Sequence, residues 1–86
     1  MVTSASTTER VLSRPPKNLS LSRRQAECLA WVEQGKSAPE IAIILGLSAR
    51  TVEAYIERAC EKLEVRTRIQ AVVRARRDGL LDDVLL

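Results

Sequence analysis

The sequence predicts an all-α fold, four short helices behind a disordered N-terminal arm. Apolar residues recur at helical rather than alternating spacing from Leu21 onward. Three stretches of the form Ser/Thr-x-x-Gln/Glu stand at the heads of those apolar runs, the pattern of a capping box. Glycines close three of the runs, at Gly35, Gly46 and Gly79.

Residues 1–20 read as a flexible arm or linker. Ser4, Ser6, Thr7, Thr8 and Pro15-Pro16 offer almost nothing to bury. Arg10, Arg14 and Lys17 make the arm basic, either as a solvated tether or as a source of extra phosphate contacts. Residues 21–86 form the folded domain, with a small core near the lower limit for independent folding, so stability should be modest. The first helix opens at Ser22 with Gln25, carries Leu29 and Val32, and stops at Gly35. The second opens at Ser37 with Glu40 and takes Pro39 in its first turn, where the missing N–H costs nothing. It carries Ile41, Ala42, Ile44 and Leu45 and ends at Gly46. Ser48 caps a longer third helix to about Leu63, whose stripe Val52, Ile56, Ala59, Cys60 and Leu63 should be buried. Thr67 with Gln70 opens the fourth, which runs to Gly79.

Composition narrows the function. The net charge of +3 and pI near 9.3 permit nucleic-acid binding without requiring it. The absence of histidine removes the commonest general base and metal ligand, and nothing pairs a nucleophile with a base. Cys28 and Cys60 match no zinc or redox spacing and read as reduced, largely buried thiols. The expectation is therefore no enzyme, no cofactor and no metal site. No apolar run approaches the roughly 20 residues needed to cross a bilayer, and Met1 to Leu12 lacks a signal-peptide stretch. A soluble, intracellular, cytoplasmic chain is expected.

The join between the second and third helices is the informative feature. Only Gly46-Leu47 separates one helix from the Ser48 cap of the next, which forces a steep crossing. Ala42 is the small residue at the contact, Gly46 makes the turn, and Ile41, Leu45, Leu47 and Val52 pin the two helices together. That spacing is the spacing of a helix-turn-helix, whose second helix enters the DNA major groove. A helical hairpin in an unrelated bundle is the plainer alternative, but it does not call for all these positions at once.

From Leu21 to Leu81 the chain resembles the LuxR-type DNA-binding domain of bacterial regulators. The resemblance rests on Leu21-Ser22, Arg24, Glu27, Leu29, Gly35-Lys36-Ser37, Glu40-Ile41-Ala42, Leu47-Ser48 and Thr51-Val52. It continues through Lys62-Leu63, Val65, Arg68, Ala71-Val72 and Gly79-Leu80-Leu81. The stretch Glu27-Cys28-Leu29-Ala30-Trp31 with Gly35-Lys36-Ser37 looks most like the quorum-sensing branch, whose members usually carry an acyl-homoserine-lactone domain ahead of this module. By that resemblance Ser37 and Ser48 head helices whose N-termini hold phosphates. Arg50 and Thr51 contact the DNA backbone, Glu53, Ala54 and Glu57 face base edges, and Arg58 reaches a flanking phosphate.

Two departures stand out. Family members often place Lys or Arg where Glu53 and Glu57 stand, and Tyr55 replaces a usual histidine. Arg50, Arg58 and Lys62 balance Glu53, Glu57 and Glu61, so the third helix has no net charge. The stripe Glu53-Glu57-Glu61 allows three readings: cytosine selection through N4 at reduced affinity, a protein partner in place of DNA, or a solvated face with Arg50–Glu53 and Arg58–Glu61 pairs. On the fourth helix, Ala71, Val72 and Ala75 point inward. Ile69, Val73 and Arg77 form a neighbouring strip that either makes a two-fold contact or, for the two β-branched residues, completes the core. Trp31 and Leu47 belong to the core. The leading expectation is sequence-specific double-stranded DNA binding by a transcription regulator, as a homodimer on DNA. The rival is a small interaction module that keeps the fold and binds a related regulator or RNA polymerase.

Overall fold

A computed structural model describes residues 21–85, so the N-terminal arm expected at 1–20 lies outside the described residues. Four helices follow one another: α1 (Arg23–Glu33), α2 (Ala38–Leu45), α3 (Ala49–Leu63) and α4 (Arg68–Arg77). No strand occurs among the described residues, and no helix among them is long and apolar enough to cross a membrane.

Local chemistry starts each helix where the sequence reading placed it. Ser22 caps α1 by accepting from the Gln25 N–H (3.1 Å), and Gln25 Oε1 accepts from the Ser22 N–H (2.9 Å). Thr67 and Gln70 repeat the exchange at α4, both bonds at 3.1 Å. Gly35 ends α1 with φ +88°, the Lys36 N–H donating back to the Trp31 carbonyl (3.0 Å). Gly46 ends α2 with φ +72°, and the Leu47 N–H donates to the Ala42 carbonyl (2.9 Å).

The end of α3 breaks the usual rule. Glu64 takes the left-handed conformation, φ 60°, that glycine adopts without penalty. Glu64→Gly is therefore expected to stabilise the domain by about 0.5–1 kcal/mol, the relief of Cβ strain exceeding the added freedom of the unfolded chain. Urea denaturation checks this; an unchanged or lower midpoint would show that the relief of strain does not exceed what the Glu64 side chain contributes.

The core divides into two clusters that meet along α3. Ala59 and Leu63, in its C-terminal half, pack with Leu29 of α1, Val72 of α4, Leu81 beyond α4, and the small residues Ala26, Ala30, Ala71 and Ala75. Val52 and Ile56, in its N-terminal half, pack with Cys28 of α1 and with Ala38, Ile41 and Ala42 of α2. Five alanines in the first cluster let α1, α3 and α4 approach closely. Trp31 and Leu47, expected in the core, are only partly buried and pack against the edge of the second cluster. Cys60 is only half-buried, because it lies at the edge of the buried stripe of α3, while Cys28 is fully enclosed.

Ile44 departs from the apolar reading of α2. It is 44% exposed, and its neighbour Ile43 is 84% exposed. The eight residues of α2 touch the core only through the side that carries Ala38, Ile41 and Ala42, so a two-turn helix has no second buried face.

Polar bonds lock the arrangement. The Arg76 guanidinium on α4 donates to both carboxylate oxygens of Glu33 on α1 (2.6 and 3.0 Å) and to Asp82 in the C-terminal turn (3.1 Å). The hydrogen bond from Arg76 holds the Glu33 carboxyl below the usual carboxylate range. Lys62 Nζ on α3 donates to Gln25 Oε1 on α1 (3.0 Å), so the oxygen that closes the α1 cap also ties down α3.

Candidate nucleic-acid interface

Since α3 is held on its inner side by both core clusters, its outer side is presented to solvent. Arg50, Ala54, Glu57, Arg58 and Glu61 are all exposed there, and Thr51, Glu53 and Tyr55 are half-exposed. The two flanks differ in charge. On the α1 side, Arg50, Thr51, Ala54, Tyr55 and Arg58 line a shallow groove with Gln25. On the α4 side, Glu53, Glu57 and Glu61 line another with Cys60, Arg66, Thr67 and Arg68.

The Arg50–Glu53 and Arg58–Glu61 pairs, which the solvated-face reading alone called for, do not form. Among the described residues, neither Arg50 nor Arg58 makes an ion pair; Glu53 instead receives Arg68 Nη2 of α4 at 2.6 Å. The order Arg-then-Glu along a helix is the weaker orientation for a local pair, and Arg68 reaches Glu53 from outside the helix. Arg50 and Arg58 thus keep their charges open to solvent on one flank, while the Glu53 charge on the other is met within the protein.

The two helix N-termini are also unequal. At α2, Glu40 Oε1 accepts from the Ser37 N–H (2.8 Å) and from Ser37 Oγ (3.2 Å), and Glu40 N–H donates to Ser37 Oγ (3.3 Å). The backbone hydrogen bond from Ser37 favours the ionised form and keeps the Glu40 carboxyl below its ordinary range. A negative charge therefore already sits at the positive end of α2. At α3 the first turn has no acidic residue. Ser48 Oγ accepts from the Thr51 N–H (3.0 Å) and donates to Thr51 Oγ1 (2.9 Å), leaving the amides of Ala49 and Arg50 without an intrahelical acceptor.

On α4, Ile69 is 65% and Val73 53% exposed, opposite the buried Ala71, Val72 and Ala75. With Arg77 they share one open groove, so the two β-branched side chains do not complete the core of the described residues. No cluster of metal-ligating side chains occurs among the described residues. Burial pushes the Cys28 thiol up to about 11, and it also raises Cys60, with Arg68 opposing and Glu57 and Glu61 assisting.

Three connections could not be read from local pattern: Glu53–Arg68, Gln25–Lys62 and Glu33–Arg76–Asp82. Their partners lie far apart in sequence except for Arg76 and Asp82, and no helical periodicity links them.

A short link between α2 and α3, an exposed face on α3 and a fourth helix against its far end form a helix-turn-helix frame, and the family pattern agrees with it. The GerE family model, bacterial regulatory proteins of the luxR family, matches residues 19–75. The chain belongs to the LuxR family.

Its relatives in that family are regulators by name. It is 43% identical over 65 residues to the transcriptional activator protein VanR of Vibrio anguillarum, an overlap of 76% of this chain and 27% of that protein. Against the transcriptional activator protein LuxR of Aliivibrio fischeri the identity is 42% over 65 residues, 76% of this chain and 26% of the relative. The quorum sensing-dependent transcriptional regulator RpaR of Rhodopseudomonas palustris matches at 40% over 74 residues, 84% of this chain and 30% of that protein. The chain thus spans between a quarter and a third of the length of these relatives. It is a LuxR-type helix-turn-helix domain, the DNA-binding module of a family of transcription regulators.

Proposed function

We propose that this LuxR-type domain binds double-stranded DNA sequence-specifically, with α3 in the major groove, as part of a bacterial transcription regulator. The observation that carries the reading is the exposed outer face of α3. Arg50 and Arg58, which make no ion pair among the described residues, stand beside a Ser48-capped N-terminus whose first turn holds no acidic group. Arg50, Arg58 and the α3 amides take phosphates, with Thr51 alongside. Ala54, Glu57 and Glu53 meet base edges, a glutamate accepting from cytosine N4. Ser37 contributes less than Ser48, since Glu40 competes for its N–H. Ile69, Val73 and Arg77 form the contact between two copies on paired half-sites.

Titration of the chain with a duplex it selects from a random library tests this. Binding should weaken linearly on a log–log plot against salt, with amide shifts changing across residues 48–58. Salt-independent or absent binding, with those amides unmoved, would overturn it.

A protein partner is the second reading, and the exposed pair Ile43 and Ile44 on α2 favours it. A related regulator or RNA polymerase would cover that apolar surface, in place of DNA on α3. Capture of such a partner that is lost on Ile43→Ser, with only non-specific DNA affinity remaining, would select this reading.

A further inference from the structure

The contact between Glu53 and Arg68 has no local reason to exist. Arg68 is the first residue of α4, where the helix dipole disfavours a positive charge, and that first turn holds no acidic residue to offset it. What holds Arg68 in place is Glu53 on the recognition helix, 2.6 Å away and fifteen residues earlier. Both side chains are partly exposed, 38% and 46%, so neither is sealed into the core.

The bond is also one-sided. Only Glu53 Oε1 accepts from Arg68; among the described residues nothing donates to Oε2. The carboxylate is therefore charge-compensated and anchored through Oε1, with Oε2 left without a donor among the described residues. A carboxylate beside DNA is otherwise repelled by phosphates and free to rotate away from a base.

We propose that Arg68 is a positioning residue for base reading: it neutralises and orients Glu53 so that Oε2 accepts a hydrogen bond from an amino group on a base edge, cytosine N4 by preference. The inference rests on the DNA-binding reading of α3. It also explains how a helix with a glutamate at this position tolerates the phosphate backbone. Glu57 and Glu61 have no basic partner among the described residues, so Glu53 is the only member of the stripe prepared in this way there.

A double-mutant cycle tests the assignment, using the whole chain and duplexes selected by the wild type from a random library. Glu53→Gln should lose the preference for cytosine at one position per half-site. Arg68→Gln should lose the same preference and in addition weaken binding to every duplex about fivefold or more, because the carboxylate is left uncompensated. In the Glu53→Gln background Arg68→Gln should change binding by less than about twofold. Arg68→Lys, which keeps the charge, should restore general affinity and part of the preference. Equal losses from Arg68→Gln in both backgrounds, or an unaltered cytosine preference with only a lower melting temperature, would reduce Arg68 to a brace and overturn the proposal. If the wild type binds no duplex in a salt-dependent way, the DNA reading itself falls, and a normal wild-type titration separates the two failures.

Discussion

Leu63→Ala is expected to lower the melting temperature by about 15 °C and to leave a large fraction of the domain unfolded at 37 °C. Leu63 is fully buried in the last turn of α3, where α1, α3, α4 and the C-terminal turn converge. Truncating a buried leucine costs about 2–5 kcal/mol, the upper end applying where neighbours cannot collapse into the space. Here many of the neighbours are alanines with no rotamers to shift: Ala26, Ala30, Ala59, Ala71 and Ala75. A domain of this size holds only about 3–10 kcal/mol in total. Ile43→Ala removes a side chain almost wholly in water and should change stability by less than about 0.5 kcal/mol. Calorimetry on the pair checks the contrast. A Leu63→Ala transition within about 5 °C of the wild type would mean that the first cluster does not hold the fold together.

The largest effect on binding is expected from Arg50→Ala with Arg58→Ala. These side chains form no ion pair among the described residues and flank the α3 groove on the side away from the glutamates. Each should contribute about 1.5 kcal/mol or more as a charge-assisted phosphate contact, over tenfold in affinity. Selected and random duplexes should weaken by the same factor, because a phosphate contact carries no sequence information. The slope of log affinity against log salt should become shallower by about 2, near 0.9 per phosphate lost. Titrations at several salt concentrations measure both quantities. An unchanged slope, or a loss confined to the selected duplex, would move these arginines off the backbone.

Much of the framework was legible in the sequence because it is decided within a few residues. Ser22 with Gln25, Ser37 with Glu40, Ser48, and Thr67 with Gln70 start the helices as expected. The stripe of α3 is buried as its spacing implied, apart from Cys60 at its edge. The end of α3 was less legible, since Glu64 fills a turn where glycine would have been the signal. Ile44 was misleading for another reason. Helical spacing says which residues share a side, and says nothing of whether a neighbour covers that side.

The chemistry of the α3 face shows the same division. Its zero net charge and the order of its residues follow from the sequence alone. The sequence also determines the caps, the turn at Gly46 and membership of the LuxR family, since these rest on residue identity and short spacing. Which charges stay open on that face was decided only by the tertiary structure. Arg68 comes from fifteen residues away to occupy Glu53, Lys62 reaches across to Gln25, and Arg50 and Arg58 are left unpaired among the described residues. The physical reason is range. A cap or a turn is closed by neighbours along the chain, whereas the partner of a long charged side chain is whichever group the packing of α1, α3 and α4 brings within about 3 Å.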